Sequence, residues 1–365
     1  MLRVKQFRII YAKHIGKVIL MSDVMIQKVN LNTQERNEIE EFLKKFELSL
    51  DKDVEYTIKA VIGEEIVGTC SFAGKVLKCF AVRDDIQGEG IASKLITHLT
   101  DELFKRGVYE TFIFTKVKNK SIFEGLNYRE VYSTSKVLLL EGGMANVKRY
   151  VEGMFKKSEL GCGEKAGLVM NCNPFTLGHR YLIEKASKEN EEVVVFIVEE
   201  NRSLFPFDVR MELVKRGTSD LKNVKIIPGG NYIISSNTFP SYFLRQEDER
   251  LLEYTRLDAG IFGRYIAPAF NIKKRYVGTE PYCPVTKMYN EALMEILPQY
   301  GVEVSLVERV GMEGRAVSAS EVRDCIKRDD WDRVKSIVPD TTYEFLTSSE
   351  GEEIIEKIKR SEAPH

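Results

Sequence analysis

The sequence predicts an α/β protein in two parts: a mixed α/β front half and a back half built on a parallel sheet. Three observations carry this expectation. At 365 residues the chain is too long for one ordinary core, so two domains are expected. In the front half, strand-like runs follow each other closely enough to form a hairpin. In the back half, short apolar runs alternate with helical stretches, the pattern of a parallel sheet covered on both faces. The expected domains are residues 1–145 and 146–365, the second with a helical C-terminal region. The seam falls near Gly142–Gly163, where glycines and charges cluster around one short helical piece.

In chain order, Thr33 is the expected N-cap of a charged helix running to Phe46, with Ile39, Phe42, Leu43 and Phe46 recurring at helical spacing. A hairpin follows: the run YTIKAVI, a turn at Gly63–Glu65 and the run IVGTCSFAG. The strand VLKCFAV leads into QGEGIA and a helix that ends near Gly107, a suitable C-cap. TFIFTKV and, after a short helical segment, SKVLLLEG are further front strands. The back half opens on the apolar run AGLVMN, a turn, a helix from Gly178 to Glu189 and the strand VVVFIV. VKIIP, RYVG and VEVSLV are its remaining strands.

Composition narrows the function. Hydrophobic residues make up 43% and charged residues 30%, the formal net charge is -1, and no Lys/Arg-rich block stands out. A nucleic-acid binder needs a basic face to displace counterions, so no nucleic-acid partner is expected. No apolar run approaches the roughly 20 residues that cross a bilayer. The charged opening MLRVKQFRII also lacks a signal-peptide apolar centre. The expectation is a cytoplasmic protein with no membrane partner. Six cysteines without C-x-x-C spacing and four scattered histidines (His14, His98, His179, His365) suggest neither a zinc site nor a disulfide framework. Cys172 lies inside a motif described below and reads as a buried packing thiol.

After the strand ending at Val82 comes Gln87-Gly88-Glu89-Gly90-Ile91-Ala92, then an amphipathic helix. Small residues let the backbone approach an anion, and a helix start points N–H groups at it. The spacing Q-x-x-G-x-A resembles the pyrophosphate loop of GNAT acetyltransferases, and NKSIFEGLNYREV resembles that family's closing helix and strand. The resemblance implies a GNAT-like mixed α/β domain in which Gln87, Gly88, Gly90 and Ala92 hold the pyrophosphate of a CoA-like or pantetheine-bearing group. Phe123 departs from the family, standing where many GNAT enzymes carry a tyrosine general acid, and phenylalanine cannot donate a proton. This half therefore reads as a binder that does not run the usual amine acetylation. His98, on the helix after the loop, reads as packing or solvent-facing. The bland alternative for the loop is a glycine-rich turn with no ligand.

The strongest single signal is Asn171-Cys172-Asn173-Pro174-Phe175-Thr176-Leu177-Gly178-His179-Arg180, where a strand feeds a turn and T-x-G-H opens a helix. Gly178 admits a base or ribose close to the backbone, and the helix N-terminus faces phosphates. Thr176 and His179 can donate hydrogen bonds to an α-phosphate as negative charge builds. Near the far end, Val317-Ser318-Ala319-Ser320-Glu321-Val322-Arg323 contains an S-x-x-E capping box at Ser318 and Glu321. The box does not explain Ser320 and Arg323, whose hydroxyl and guanidinium suit a departing pyrophosphate. The two segments resemble the T/H-x-G-H and I-S-x-[ST]-x-[VI]-R signatures of the nucleotidyltransferase superfamily. That implies a Rossmann-like parallel-sheet domain with Asn173, Gly178, Ser318, Ser320 and Arg323 at ATP. Ligand contacts in such sheets lie just past strand carboxyl ends, so Gly278 and Thr279 are expected there too. Glu199 and Glu200 serve equally well as substrate-orienting carboxylates or as solvated surface.

Longer segments narrow the resemblance. VEENRSLFPFDVR, YIISSNTFPSYFL, LDAGIFGRYIAPAFNI and VGTEPYCPVTKMYNEAL, with NCNPFTLGHR and VSASEVR, are similar to the citrate lyase ligase family through most of residues 164–326. That family also carries a GNAT-like front half. The resemblance implies activation of acetate by ATP to acetyl-AMP, with release of pyrophosphate. The acetyl group then passes to the dephospho-CoA-like prosthetic-group thiol on the acyl carrier subunit of citrate lyase. It makes His179 and Thr176 the catalytic pair and places Mg²⁺ on the triphosphate, with no carboxylate ligand assigned. Acetate is already ionised at neutral pH, so adenylation needs positioning and charge neutralisation, not a general base. Two other readings stand beside this one. One is a pantetheine-phosphate or mononucleotide adenylyltransferase fused to an acetyltransferase; the other is a non-catalytic adaptor that senses acyl-CoA and nucleotide.

Overall fold

A computed structural model describes residues 9–11, 18–20, 23–199, 203–233, 247–279, 284–308, 311–312 and 315–361. His14, Glu200, Arg202, Glu280, Cys283 and His365, together with 234–244 of YIISSNTFPSYFL, lie outside the described residues. The chain divides into two units whose main boundary falls between Asn146 and Val147.

In the front unit, a small antiparallel pair, β1 (Ile9–Tyr11) and β2 (Val18–Leu20), precedes β3 (Val24–Lys28) and α1 (Glu35–Lys44). The expected hairpin is β4 (Tyr56–Ile62) and β5 (Glu65–Ala73), followed by β6 (Val76–Val82) and α2 (Ile91–Lys105). Then come β7 (Glu110–Lys116), α3 (Lys120–Glu124), β8 (Arg129–Ser133) and β9 (Val137–Gly143). Seven strands form one mixed sheet in the order β3-β4-β5-β6-β7-β9-β8. Its pairs are antiparallel except β6 with β7. The apolar stripe Ile91, Leu95, Leu99 and Leu103 of α2 is buried against the sheet, each side chain contributing about 1.5–3 kcal/mol.

The first helix corrects an expectation. Its N-cap is Gln34, not Thr33, and no side chain caps it there. The Thr33 hydroxyl instead donates to the Asn30 carbonyl (2.8 Å), while the Glu35 carboxylate accepts from the Asn30 N–H (2.8 Å). These bonds close the preceding turn and move the helix start one residue on. The helix also stops at Lys44, before Phe46.

The back unit opens with α4 (Val147–Ser158), a three-turn helix at the expected seam. There follow β10 (Lys165–Met170), α5 (Leu177–Glu189), β11 (Val193–Ile197), α6 (Phe207–Gly217) and β12 (Val224–Pro228). Next are α7 (Glu247–Ile261), of which this unit holds the part from Tyr254 on, α8 (Ala267–Phe270), β13 (Ile272–Gly278), α9 (Pro284–Ile296) and β14 (Glu303–Val307). After the two-residue strands β15 (Gly311–Met312) and β16 (Arg315–Ala316) the chain ends in α10 (Ala319–Lys327), α11 (Trp331–Ile337), α12 (Asp340–Leu346) and α13 (Glu352–Arg360). The five central strands are all parallel, in the order β12-β11-β10-β13-β14.

Every side chain of β11 is fully buried, because both faces of the sheet are covered. Val193, Val195 and Ile197 enter one core, while Phe196 meets Phe262 and Phe270 on the other face. The strand order reverses between β10 and β13, which opens a crevice at their carboxyl ends, the place where such sheets bind ligands. No described helix is long and apolar enough to cross a membrane.

Candidate active site

The turn after β10 begins at Cys172, whose φ of 54° starts a sharp bend, and runs through a cis Asn173–Pro174 peptide to Thr176. Thr176 is the N-cap of α5: its Oγ1 accepts from the His179 N–H (3.3 Å). The His179 ring closes the other half of a capping box, with Nδ1 accepting from the Thr176 N–H (3.2 Å). Thr176 Oγ1 also lies 2.9 Å from Nδ1. Since the main-chain N–H can only donate, Nδ1 is an acceptor, and the neutral ring carries its proton on Nε2. The cap thus selects the tautomer that makes Nε2–H a donor. Phe175, fully buried, stacks on the imidazole at 6.1 Å between centroids and helps hold its plane.

The Thr176 hydroxyl is buried, accepts the His179 N–H and lies against Nδ1, so it also helps to orient the ring. Cys172 is likewise buried, and burial pushes its thiol well up from the ordinary range, which suits packing.

The second signature lies against the first. Ser318 caps α10 by accepting from the Glu321 N–H (3.1 Å), and its hydroxyl is 3.0 Å from that of Ser320. The expected capping box is only half formed, because the Glu321 carboxylate turns to Arg333 (2.8 Å). A Cβ on Gly178 would meet the Val317 carbonyl oxygen at 2.9 Å, so glycine here lets the two helix starts approach each other. Arg323, also buried, donates from Nη1 to the Asn173 carbonyl (2.6 Å). Asn173 Oδ1 accepts from the Phe205 N–H (3.1 Å). Asn173 and Arg323 therefore brace the two segments, and two capped helix N-termini stand together. Such N-termini favour anions through their N–H groups and aligned dipoles.

Gly278 ends β13, next to β10 in the sheet, and Thr279 follows it. The Gly278 carbonyl accepts from Asn290 Nδ2 (2.9 Å), and the Thr279 N–H donates to the Val307 carbonyl (2.8 Å). Glu199 is exposed just past β11. Among the described residues no group of three or more His, Cys, Asp or Glu is arranged to hold a metal ion.

One supporting residue escaped the sequence reading. Arg210 is fully buried in α6 and donates from Nη1 to the Asn171 carbonyl (2.8 Å), Asn171 Oδ1 (2.8 Å) and the Val198 carbonyl (3.0 Å). Its Nε donates to the Phe205 carbonyl (3.0 Å). It ties together the chain leaving β10 and β11. The available signal was an arginine in helical register with Leu213, Val214 and Gly217, on the face the helix buries.

The remaining expected residues lie in the front unit. β6 and β7 pair only at Val76–Phe112 and Leu77–Ile113, then diverge, and the opening is a cleft of about 600 Å³. Gln87, Gly88, Gly90 and Ala92 all line it at the start of α2, with Gly88 and Gly90 at φ of 88° and 79°. Gln87 Nε2 is held by Asp84 Oδ1 (2.7 Å). Phe123 reaches the cleft and packs edge-on against Phe80 (5.3 Å), and His98 is exposed outside it.

Comparison with known proteins bears on both units. Residues 165–346 match the model of the citrate lyase ligase C-terminal domain, and residues 24–122 match that of the acetyltransferase (GNAT) family. The chain is 36% identical over 319 residues to [Citrate [pro-3S]-lyase] ligase of Klebsiella pneumoniae, covering 85% of this chain and 92% of that one. It is 33% identical over 335 residues to the protein of the same name from Escherichia coli (strain K12), covering 89% and 94%. Among solved structures, an aminoglycoside 6'-N-acetyltransferase complexed with coenzyme A is 13% identical, covers 33% of this chain and 98% of its own, and gives a TM-score of 0.29.

Proposed function

The chain belongs to the citrate lyase ligase family, and on that premise we propose that it makes acetyl-AMP in the back unit and passes the acetyl group to a prosthetic-group thiol bound by the front unit. As a member of that family it is an ATP-using ligase that activates citrate lyase by acetylation. The acceptor is the dephospho-CoA-like group on the lyase's acyl carrier subunit. The observation that carries the adenylation reading is the close approach of two capped helix N-termini, one bearing His179 and the other Ser318, Ser320 and Arg323.

These groups are donors or cations and fit a triphosphate, with Gly278 and Thr279 at the adjoining strand end. An acetate oxygen attacks the α-phosphorus, a P–O bond forms, and the bond to pyrophosphate breaks. His179 Nε2–H donates to the phosphate as charge builds, while the serine hydroxyls and the guanidinium neutralise the departing pyrophosphate. Mg²⁺, held largely by phosphate oxygens and water, would supply further neutralisation of the triphosphate. A thiolate then attacks the acetyl carbon; the C–S bond forms as the C–O bond to AMP breaks. AMP needs no proton to leave, which makes Phe123 tolerable where a tyrosine acid would stand. The test is ATP–pyrophosphate exchange. It should require acetate, whereas exchange driven by a phosphate monoester such as phosphopantetheine would overturn the reading.

Arg323 separates scaffold from chemistry. Arg323→Ala leaves the buried Asn173 carbonyl without its partner and should cost about 1–3 kcal/mol of stability along with ATP affinity. Arg323→Lys retains a donor but not the planar fork, so it should melt close to the parent while exchange falls about tenfold. Equal exchange by the lysine and parent proteins would remove phosphate binding from its role.

A further inference from the structure

One main-chain carbonyl at the end of the back sheet is satisfied by a helix side chain instead of by a strand. β10 and β13 are neighbours, but their register runs only from Lys165–Ile272 to Gly167–Arg275. β13 continues three residues further, to Gly278. On its other side the Thr279 N–H donates to the Val307 carbonyl of β14 (2.8 Å). In a planar trans peptide the carbonyl points opposite to the N–H of the next residue. The Gly278 carbonyl therefore points away from β14, toward the side where β10 has left the ladder and the crevice opens. A carbonyl in that place needs a donor. Asn290 of α9 supplies it: its Nδ2 donates to the Gly278 oxygen (2.9 Å), and the residue is buried. An amide buried on a helix is costly unless it is hydrogen-bonded, so this bond accounts for an asparagine at the position. The neighbouring Tyr289 donates to Asp258 Oδ2 of α7 (2.6 Å), which anchors the same turn of α9 by a second bond that does not involve Gly278.

We propose that Asn290 is a positioning residue of the ATP site, fixing the Gly278–Thr279 peptide from the crevice side while β14 fixes it from the other. The inference rests on the reading of Gly278 and Thr279 as ATP contacts. With its carbonyl held by Asn290 and its N–H held by Val307, the peptide cannot rotate, and Thr279 meets the nucleotide in one orientation. The carbonyl oxygen, an acceptor that would repel phosphate oxygens, is also kept engaged. A neutral peptide gains no charge as the reaction proceeds, so its contribution falls equally on bound ATP and on the transition state. Loss of such uniform binding raises KM and leaves kcat in place.

The test is acetate-dependent ATP–pyrophosphate exchange by the full chain, with ATP and acetate varied separately and melting measured on the same preparations. Asn290→Asp keeps the shape but removes the donor; Asn290→Ala removes the amide without adding a charge. Both should raise the KM for ATP about tenfold, with kcat within about twofold of the parent and the KM for acetate level. Tyr289→Phe is the control for a loosened helix: it should lower the melting temperature and leave the KM for ATP at the parent value. A KM for ATP unchanged in both Asn290 variants overturns the proposal, whatever their melting temperatures. An equal rise in Tyr289→Phe also overturns it, since the effect would then follow the packing of α9 and not the Gly278 carbonyl. Absence of acetate-dependent exchange in the parent itself removes the adenylation reading, and the proposal with it.

Discussion

Replacing His179 by alanine is expected to lower acetate-dependent ATP–pyrophosphate exchange by about two to three powers of ten, with ATP affinity changed only a few-fold. The expectation follows from the direction of the ring. Nδ1 accepts from the Thr176 N–H, which leaves the ring proton on Nε2, a neutral donor. A donor aimed where charge develops acts mainly on the transition state and contributes little to ground-state binding. Loss of the ring also opens half of the capping box, but Thr176 Oγ1 still accepts from the N–H of residue 179. The structural cost should therefore stay near 1 kcal/mol, visible as a small drop in melting temperature. Exchange and melting are measured on the same preparation. Unchanged exchange at saturating ATP and acetate would remove His179 from the reaction.

Ser93→Glu is expected to abolish acetyl transfer to the carrier subunit while leaving acetyl-AMP formation intact. Ser93 is exposed in the first turn of α2 and lines the front cleft beside Gly90 and Ala92. A carboxylate there complements the helix dipole, so the fold should tolerate it well. It also places a negative charge where the acceptor's pyrophosphate is expected. At an effective dielectric near 20, two unit charges about 4 Å apart repel by about 4 kcal/mol. Even with partial screening this predicts a loss of about a hundredfold or more in acceptor affinity. Two assays on one protein decide the matter: acetate-dependent exchange, and labelled acetyl transfer to the carrier. A parallel fall in both would contradict the division of labour between the units. Full activity in both would leave the loop at the start of α2 without a role in acceptor binding. This variant is a cleaner probe than a bulky residue at Gly90, whose φ of 79° would strain any side chain.

Much of this protein was legible in its sequence, and for a local reason. The strands of the back sheet are short apolar runs, and the helix starts at Thr176 and Ser318 carry their own capping side chains. Such features depend on residues a few positions apart, so periodicity and spacing disclose them. The tertiary structure decided everything that depends on partners far along the chain. Glu321 meets the spacing for a capping box yet pairs with Arg333, because the packing of α10 against α11 offers a cation. Arg323 finds its acceptor at Asn173, 150 residues earlier, and Gly178 is demanded by the Val317 carbonyl, since the fold sets the starts of α5 and α10 side by side. Thr176 has the residue type of a phosphate donor, and the cap also sets its hydroxyl against the ring of His179. Arg210 acquires its role only when the chain segments leaving β10 and β11 converge on it. A sequence states which polar groups a segment carries. Which of them must be satisfied inside the protein, and which remain for a ligand, depends on the segments that the topology brings against it, because a buried polar group has to find its partner wherever the fold supplies one.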